Sequence, residues 1–289
     1  MKSSADDPRP SLVSANWLTA HAHDAGVVVL DCSWYLPTMG RNADQEYLAA
    51  HVPGAVRFDL DAASDPDASL PHMVPSPERF AMLAERLGIR RTDWVICYDG
   101  SGSNLSAARA WWLFRLFGHS RVSVLDGGFG AWARDTRPVQ RGAVRRPPTG
   151  YPVPSIDRSL LVDRAQVERI VAERGPAQIG DCRSAARFRA EEDEPRPGVR
   201  RGHVPGSCNL PFGDFTDPVT RREKTPAELR SLFLASGLDI SRPIVALCGS
   251  GVTACTMALA VEVIREADPE GVGPPVAVYD GSWAEWGRG

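Results

Sequence analysis

Cys248 ends the apolar run Ile244-Val245-Ala246-Leu247 and opens the segment Cys248-Gly249-Ser250-Gly251-Val252-Thr253-Ala254, after which a helical pattern begins. That order suits a thiolate. A buried strand delivers the sulfur to a sheet edge, two glycines let the next turn curl backbone N–H groups around it, and the following helix adds its positive end. Such surroundings lower a cysteine pKa from about 8.5 into the range of roughly 3.5–7.5. The competing reading is a buried structural cysteine before a glycine-rich turn. Strand, cysteine, glycine turn and helix stand in the sequence the chemistry needs, so Cys248 reads as a nucleophile. The loop amides from Gly249 through Gly251, Val252 and Thr253 to Ala254 would cradle its sulfur.

The other five cysteines are expected to be core thiols. Cys32, Cys97 and Cys182 lie in or beside apolar runs, Cys208 in a turn-to-strand segment, and Cys255 in the helix after the loop. The chain has no C-x-x-C pair and no Cys/His cluster with zinc-ligand spacing, so neither a metal site nor a cofactor is expected.

A helical and strand framework must position this loop, and the bulk numbers allow one. The 289 residues suffice for two domains, and 43% hydrophobic with 24% charged residues is the balance of a globular protein. A net charge of −3 gives no reason to expect nucleic acid or a membrane surface as partner. Lysine occurs only at Lys2 and Lys224, so the cations are almost all planar arginine forks. No secretory apolar region follows Met1, no run approaches the ~20 residues that span a bilayer, and six cysteines lack a compact disulfide framework. Together these point to the cytoplasm.

The chain also repeats itself. Asp31-Cys32-Ser33 recurs as Asp181-Cys182-Arg183, and His51-Val52-Pro53-Gly54-Ala55 as His203-Val204-Pro205-Gly206-Ser207. Arg86-Leu87-Gly88-Ile89 is echoed by Ala235-Ser236-Gly237-Leu238, residues 95–102 by 244–251, and 126–132 by 280–286. Five matches in one order indicate a tandem duplication. Between the copies, residues 137–154 hold five prolines, two glycines and four arginines, the composition of a semi-extended linker. The expected layout is a first copy over 9–140, a linker over 141–154 and a second copy over 155–289. Within each copy, short apolar runs (27–30, 94–98 and 122–125; 244–247 and 276–279) alternate with helical patterns (77–87 and 106–117; 226–234 and 253–264). That alternation predicts an α/β fold, with one parallel sheet per copy and helices on both faces. Ligands of such sheets sit beyond the carboxyl ends of the strands, where Cys248 lies. At the equivalent position the first copy has Asp99, which cannot be a sulfur nucleophile. Only the second copy is therefore expected to be catalytic.

Several of these segments resemble two-domain sulfurtransferases of the rhodanese superfamily: residues 31–37, 51–55, Pro71-His72-Met73, 108–119 and 203–206, together with the duplication and the cysteine in its second half. The match covers nearly the whole chain and implies two tandem rhodanese-like domains. Within that family, Cys-Gly-Ser-Gly-Val-Thr-Ala is similar to the loop of the 3-mercaptopyruvate branch, whereas thiosulfate-specific members carry Arg and Lys directly after the cysteine. A neutral loop fits a monoanionic donor whose carboxylate lies away from its sulfur. The resemblance implies that Arg187 and Arg196 hold that carboxylate and the carbonyl oxygen, a task for planar forks. It implies a persulfide on Cys248 and release of pyruvate, with a thiol such as thioredoxin, or cyanide, as acceptor. It also implies a relay in which His72 and Asp61, from the first copy, act with Ser250. Ser250 otherwise simply lines the loop. Arg183, Arg189, Arg200 and Arg201 are expected to be surface residues paired with Glu191, Glu192, Asp193 or Glu194. His51 and His203, which open the same turn in both copies, are expected to stabilise the fold. Three departures from the family pattern stand out: Cys182 for a small residue, Val74 for a leucine, and Ala190 for a glycine, the last able to shift the backbone that carries Arg187. Thiosulfate:cyanide sulfur transfer is the alternative on the same scaffold. A cysteine phosphatase would need an arginine at position 254, which is Ala. A non-enzymatic interaction module has no need to keep Cys248.

Overall fold

A computed structural model describes residues 9–288. Two compact units emerge. The first contains residues 9–66, 75–156 and 218–222, and the second contains residues 67–74, 157–217 and 223–288. Each is built on one five-stranded, all-parallel sheet flanked by helices.

In the first unit the elements run β1 (Leu12–Val13), α1 (Ala15–His21), β2 (Val27–Asp31), α2 (Ala43–Ala49), β3 (Val56–Arg57), α3 (Pro77–Arg86), β4 (Trp94–Tyr98), α4 (Leu105–Leu116), β5 (Val122–Leu125) and α5 (Gly128–Arg134). The spatial strand order is β1-β5-β4-β2-β3. In the second unit they run β6 (Leu161–Val162), α6 (Arg164–Glu173), β7 (Gln178–Asp181), α7 (Ala185–Phe188), β8 (Cys208–Asn209), α8 (Pro226–Ser236), β9 (Ile244–Leu247), α9 (Ala254–Ala267), β10 (Ala277–Tyr279) and α10 (Ser282–Trp286). Their order, β6-β10-β9-β7-β8, repeats the first element for element. The shortest strands, β1, β3, β6 and β8, lie at the sheet edges and carry too few apolar residues to show in a periodicity reading.

Local sequence explains where the helices begin. Ser76 caps α3, and Pro77 fills its first turn, where a missing N–H costs nothing. Thr225 and Glu228 form a reciprocal capping box on α8, which Gly237 ends at φ 82. The central strands β2, β4, β7 and β9 are almost continuously buried, because parallel strands are covered on both faces. The linker residues form neither helix nor strand and are fastened to the first unit. Val144 N–H donates to Tyr47 Oη at 3.0 Å, and the buried Tyr151 meets His119 at 3.0 Å. Among the described residues no helix is long and apolar enough to cross a membrane.

Candidate active site

All four residues of β9 are buried, and the strand hands directly on to Cys248, which is 2% exposed. The peptide groups of Cys248 are pinned from one neighbouring segment. Its N–H donates to Ser282 Oγ at 3.2 Å, and its carbonyl accepts the Trp283 N–H at 2.9 Å. One residue on, the Gly249 carbonyl accepts the Ala284 N–H at 2.9 Å. Gly251 then turns the chain at φ 76, a left-handed conformation that suits glycine. Val252 and Thr253 close the loop, with Val252 buried, and the 14-residue α9 presents its N-terminus behind it.

Arg187 and Arg196 converge on this loop at Gly249. A β-carbon there would lie 3.1 Å from Arg187 Nη2 and 3.5 Å from Arg196 Nη1, so the missing side chain is what admits two guanidinium groups beside the sulfur-bearing residue. Arg196 Nη2 also donates to Ser250 Oγ at 3.1 Å. Burial pulls the Arg196 guanidinium down from its ordinary value, and a thiolate at Cys248 would oppose that pull.

A buried ion-pair chain stands behind Arg187. The Glu194 carboxylate, 3% exposed, accepts from Arg187 Nη2 and Nε and, at 2.7 Å, from Arg183 Nη1. Arg183 is fully buried and forks onto Asp181, and its Nη2 also donates to the Gly202 carbonyl at 2.8 Å. Its guanidinium lies 4.3 Å over the Trp283 ring. The surface role expected for Arg183 is therefore wrong. It follows the buried strand β7, whose carboxyl end is interior, so both its charge and its planar face are satisfied inside the unit. Arg189 with Glu191 and Arg201 with Asp193 do form exposed pairs, and Arg200 is exposed. Among Arg183, Arg187, Arg196, Asp181 and Glu194, three positive charges meet two negative ones. One positive charge is left over on the side facing Gly249.

His72 belongs to the second unit through residues 67–74, although its place in the chain is within the first copy. It is 6% exposed, and its Nδ1 lies 2.9 Å from Ser250 Oγ. A guanidinium only donates, so the Ser250 oxygen accepts from Arg196 and its hydroxyl hydrogen is available for His72 Nδ1. Asp61 lies in the first unit, exposed, and its carboxylate accepts the Trp34 indole N–H at 3.1 and 3.2 Å. His51 and His203 have local work. The first meets the Tyr47 carbonyl at 2.7 Å and stacks on that ring; the second meets the Phe188 carbonyl at 2.9 Å and stacks likewise.

The first copy's loop is arranged otherwise. The buried Asp99 carboxylate accepts the N–H and hydroxyl of Ser101, the Ser106 hydroxyl and, at 2.9 Å, the Ala107 N–H in the first turn of α4. It closes the loop on itself and caps the helix. Cys182 is buried as a core thiol, and burial, followed by the neighbouring Cys248, pushes it well above its usual range. Cys208 is only half-buried, short of the core position expected for it. Ala190 sits at φ 64, the left-handed region that the glycine usual in this family would occupy without strain.

Sequence reading passed over Ser282, Asp280 and Glu194. For Ser282 a signal existed. The repeat aligns it with Gly128, and both are left-handed, at φ 48 and 55. A serine kept where glycine is easier, in the copy that has the cysteine, marks a hydroxyl with a task. Glu194 lay in the acidic run 191–194 and could not be told from its exposed neighbours.

Comparison with known proteins gives the family of the chain. The rhodanese-like domain model matches residues 14–135 and again 163–288. The chain is 42% identical over 281 residues to 3-mercaptopyruvate sulfurtransferase of Homo sapiens, covering 96% of this chain and 91% of that one. It is 40% identical to thiosulfate sulfurtransferase of Cricetulus griseus over 283 residues, 96% of this chain and 91% of the other. The crystal structure of SseA from Escherichia coli superposes with a TM-score of 0.82 at 38% identity, covering 95% of this chain and 99% of that one. With the strand order duplicated, the cysteine loop in the second unit and two matches to one domain model, the chain belongs to the rhodanese family.

Proposed function

We propose that this chain is a sulfurtransferase that takes sulfur from 3-mercaptopyruvate onto Cys248 and passes it to a thiol. The observation that carries this reading is the convergence of Arg187 and Arg196 on Gly249, beside a loop with no cation of its own. A compact α-keto acid monoanion suits that distribution: its sulfur meets Cys248 while its carboxylate and carbonyl oxygen meet the two forks.

The Cys248 thiolate attacks the donor sulfur. A sulfur–sulfur bond forms, the donor's carbon–sulfur bond breaks, and its electron pair passes into the enolate of pyruvate. The guanidinium groups of Arg187 and Arg196 stabilise the charge that develops on the enolate oxygen, in an environment already organised for it. The hydrogen carried by the donor thiol balances the proton that the enolate takes up to become pyruvate. Ser250 and His72, in contact at 2.9 Å, are proposed to move it, with Asp61 as the third member of that relay. The amides from Gly249 to Ala254 then hold the persulfide. An acceptor thiolate attacks its outer sulfur and regenerates Cys248. With a dithiol such as thioredoxin, the second thiol displaces hydrosulfide and leaves a disulfide; with cyanide, the product is thiocyanate. This is double displacement and is expected to show ping-pong kinetics. Asp99, tied into its own loop, serves structure in the first copy. The cytoplasm is proposed as the working compartment.

Thiosulfate transfer is the second reading, favoured by the 40% identity to a thiosulfate enzyme. Mass spectrometry after incubation with mercaptopyruvate tests the first: Cys248 should gain about 32 Da, one sulfur, and Cys248→Ser should gain nothing. A donor panel separates the two. Wild-type protein that turns over thiosulfate but not mercaptopyruvate would replace the first reading with the second.

A further inference from the structure

His72 sits in a stretch without helix or strand, and its backbone is left-handed at φ 61. A residue with a β-carbon keeps that conformation when its surroundings hold it there. Hydrogen bonds join the stretch to the rest of the second unit, and two of them bear on His72. One is the contact between His72 Nδ1 and Ser250 Oγ. The other lies two residues on, where the Val74 N–H donates to Asp280 Oδ2 at 2.6 Å.

The two anchors differ in stiffness. Ser250 lies on the loop that meets the substrate and already accepts from Arg196. Asp280 is 4% exposed and directly follows β10, which pairs with β6 on one side and β9 on the other. A short bond from a backbone N–H to a carboxylate is among the stronger hydrogen bonds, and here its acceptor is fixed to the sheet. Two residues of chain give His72 little freedom once Val74 is held. Asp280 has a counterpart in Asp126 and so reads, in the sequence, as part of the repeated module.

We propose that Asp280 is a positioning residue for sulfur transfer: by holding the Val74 N–H it sets the path of residues 72–74 and so places His72 on Ser250. The inference rests on the sulfur-transfer reading above. Removing Asp280 is expected to loosen the delivery of His72 while Cys248 and both arginines keep their own contacts.

The test is a double-mutant cycle with mercaptopyruvate as donor and cyanide as acceptor, measured on Asp280→Ala, Asp280→Asn, His72→Ala and the Asp280→Ala/His72→Ala pair. Asp280→Ala should lower kcat/KM about 10-fold or more, and Asp280→Asn, which keeps an acceptor oxygen, should fall between it and wild type. In the His72→Ala background the further loss should be less than about two-fold, since a residue acting through another is not additive with it. The rate of Cys248 alkylation by iodoacetamide should stay at the wild-type value, which also reports that the unit is folded. Hydrogen exchange at the Val74 amide should speed up in Asp280→Ala. Full additivity with His72→Ala, or wild-type turnover in Asp280→Ala, overturns the proposal. If wild-type protein itself fails to turn over mercaptopyruvate, the sulfur-transfer reading fails first, and the Val74 exchange rate still reports whether Asp280 holds this segment.

Discussion

Acid should destabilise the first unit through one buried ring. His119 is 0% exposed, its Nε2 lies 3.0 Å from the Asp93 carbonyl, and its Nδ1 lies 3.0 Å from the Tyr151 hydroxyl. A carbonyl only accepts, so Nε2 carries the hydrogen and Nδ1 accepts from Tyr151. The neutral ring is satisfied at both nitrogens. A second proton, on Nδ1, would displace the hydrogen bond from Tyr151. Burial, with the Arg91 charge adding to it, pulls His119 down to about 4. In the unfolded chain a histidine titrates near 6.5. Above that pH neither state binds the proton, and the full stability is present. As the pH falls below 6.5 the unfolded chain takes up a proton that the folded ring refuses, so stability is lost until the pH reaches the folded value. Linkage between these two values gives a loss of about 2 kcal/mol at about pH 5 and a limit of about 3 kcal/mol below about pH 4. The assay is urea unfolding of wild type and His119→Gln at about pH 7.5 and about pH 5. Glutamine offers an N–H to Asp93 but cannot titrate, so the acid-induced loss should shrink by about 2 kcal/mol in the variant. Equal losses in the two proteins would refute the assignment of this sensitivity to His119.

Ser250→Ala removes a hydroxyl that joins Arg196 and His72. It should lower kcat/KM for mercaptopyruvate by about 10- to 100-fold, the worth of one hydrogen bond to a charged group, while leaving Cys248 alkylation unchanged. Steady-state kinetics within two-fold of wild type would show that the serine only lines the loop. Ala190→Gly should stabilise the second unit by about 1 kcal/mol, because the backbone at φ 64 is strained for alanine and free for glycine. A urea midpoint that falls would show that the strain is relieved elsewhere.

The duplicated α/β architecture was readable in the linear order of residues, and so was the contrast between Cys248 in one copy and Asp99 in the other. Each is a local or periodic property: strand, cysteine, glycine turn, helix, written once with Cys248 and once with Asp99. The neutral loop was readable for the same reason, whereas Arg187 and Arg196 were named through the resemblance to the family. Which arginine does what was not readable. Arg183, Arg187, Arg189, Arg200 and Arg201 are one composition in one stretch, and only folding separates a guanidinium sealed against Trp283 and Glu194 from those in water. Likewise, chain order assigned residues 67–74 to the first copy, while packing assigns them to the second, through bonds from His72 and Val74 to residues about two hundred positions away. Periodicity records which face of an element is apolar. Hydrogen bonds between distant segments depend on where whole elements come to rest, and no short window of sequence encodes that.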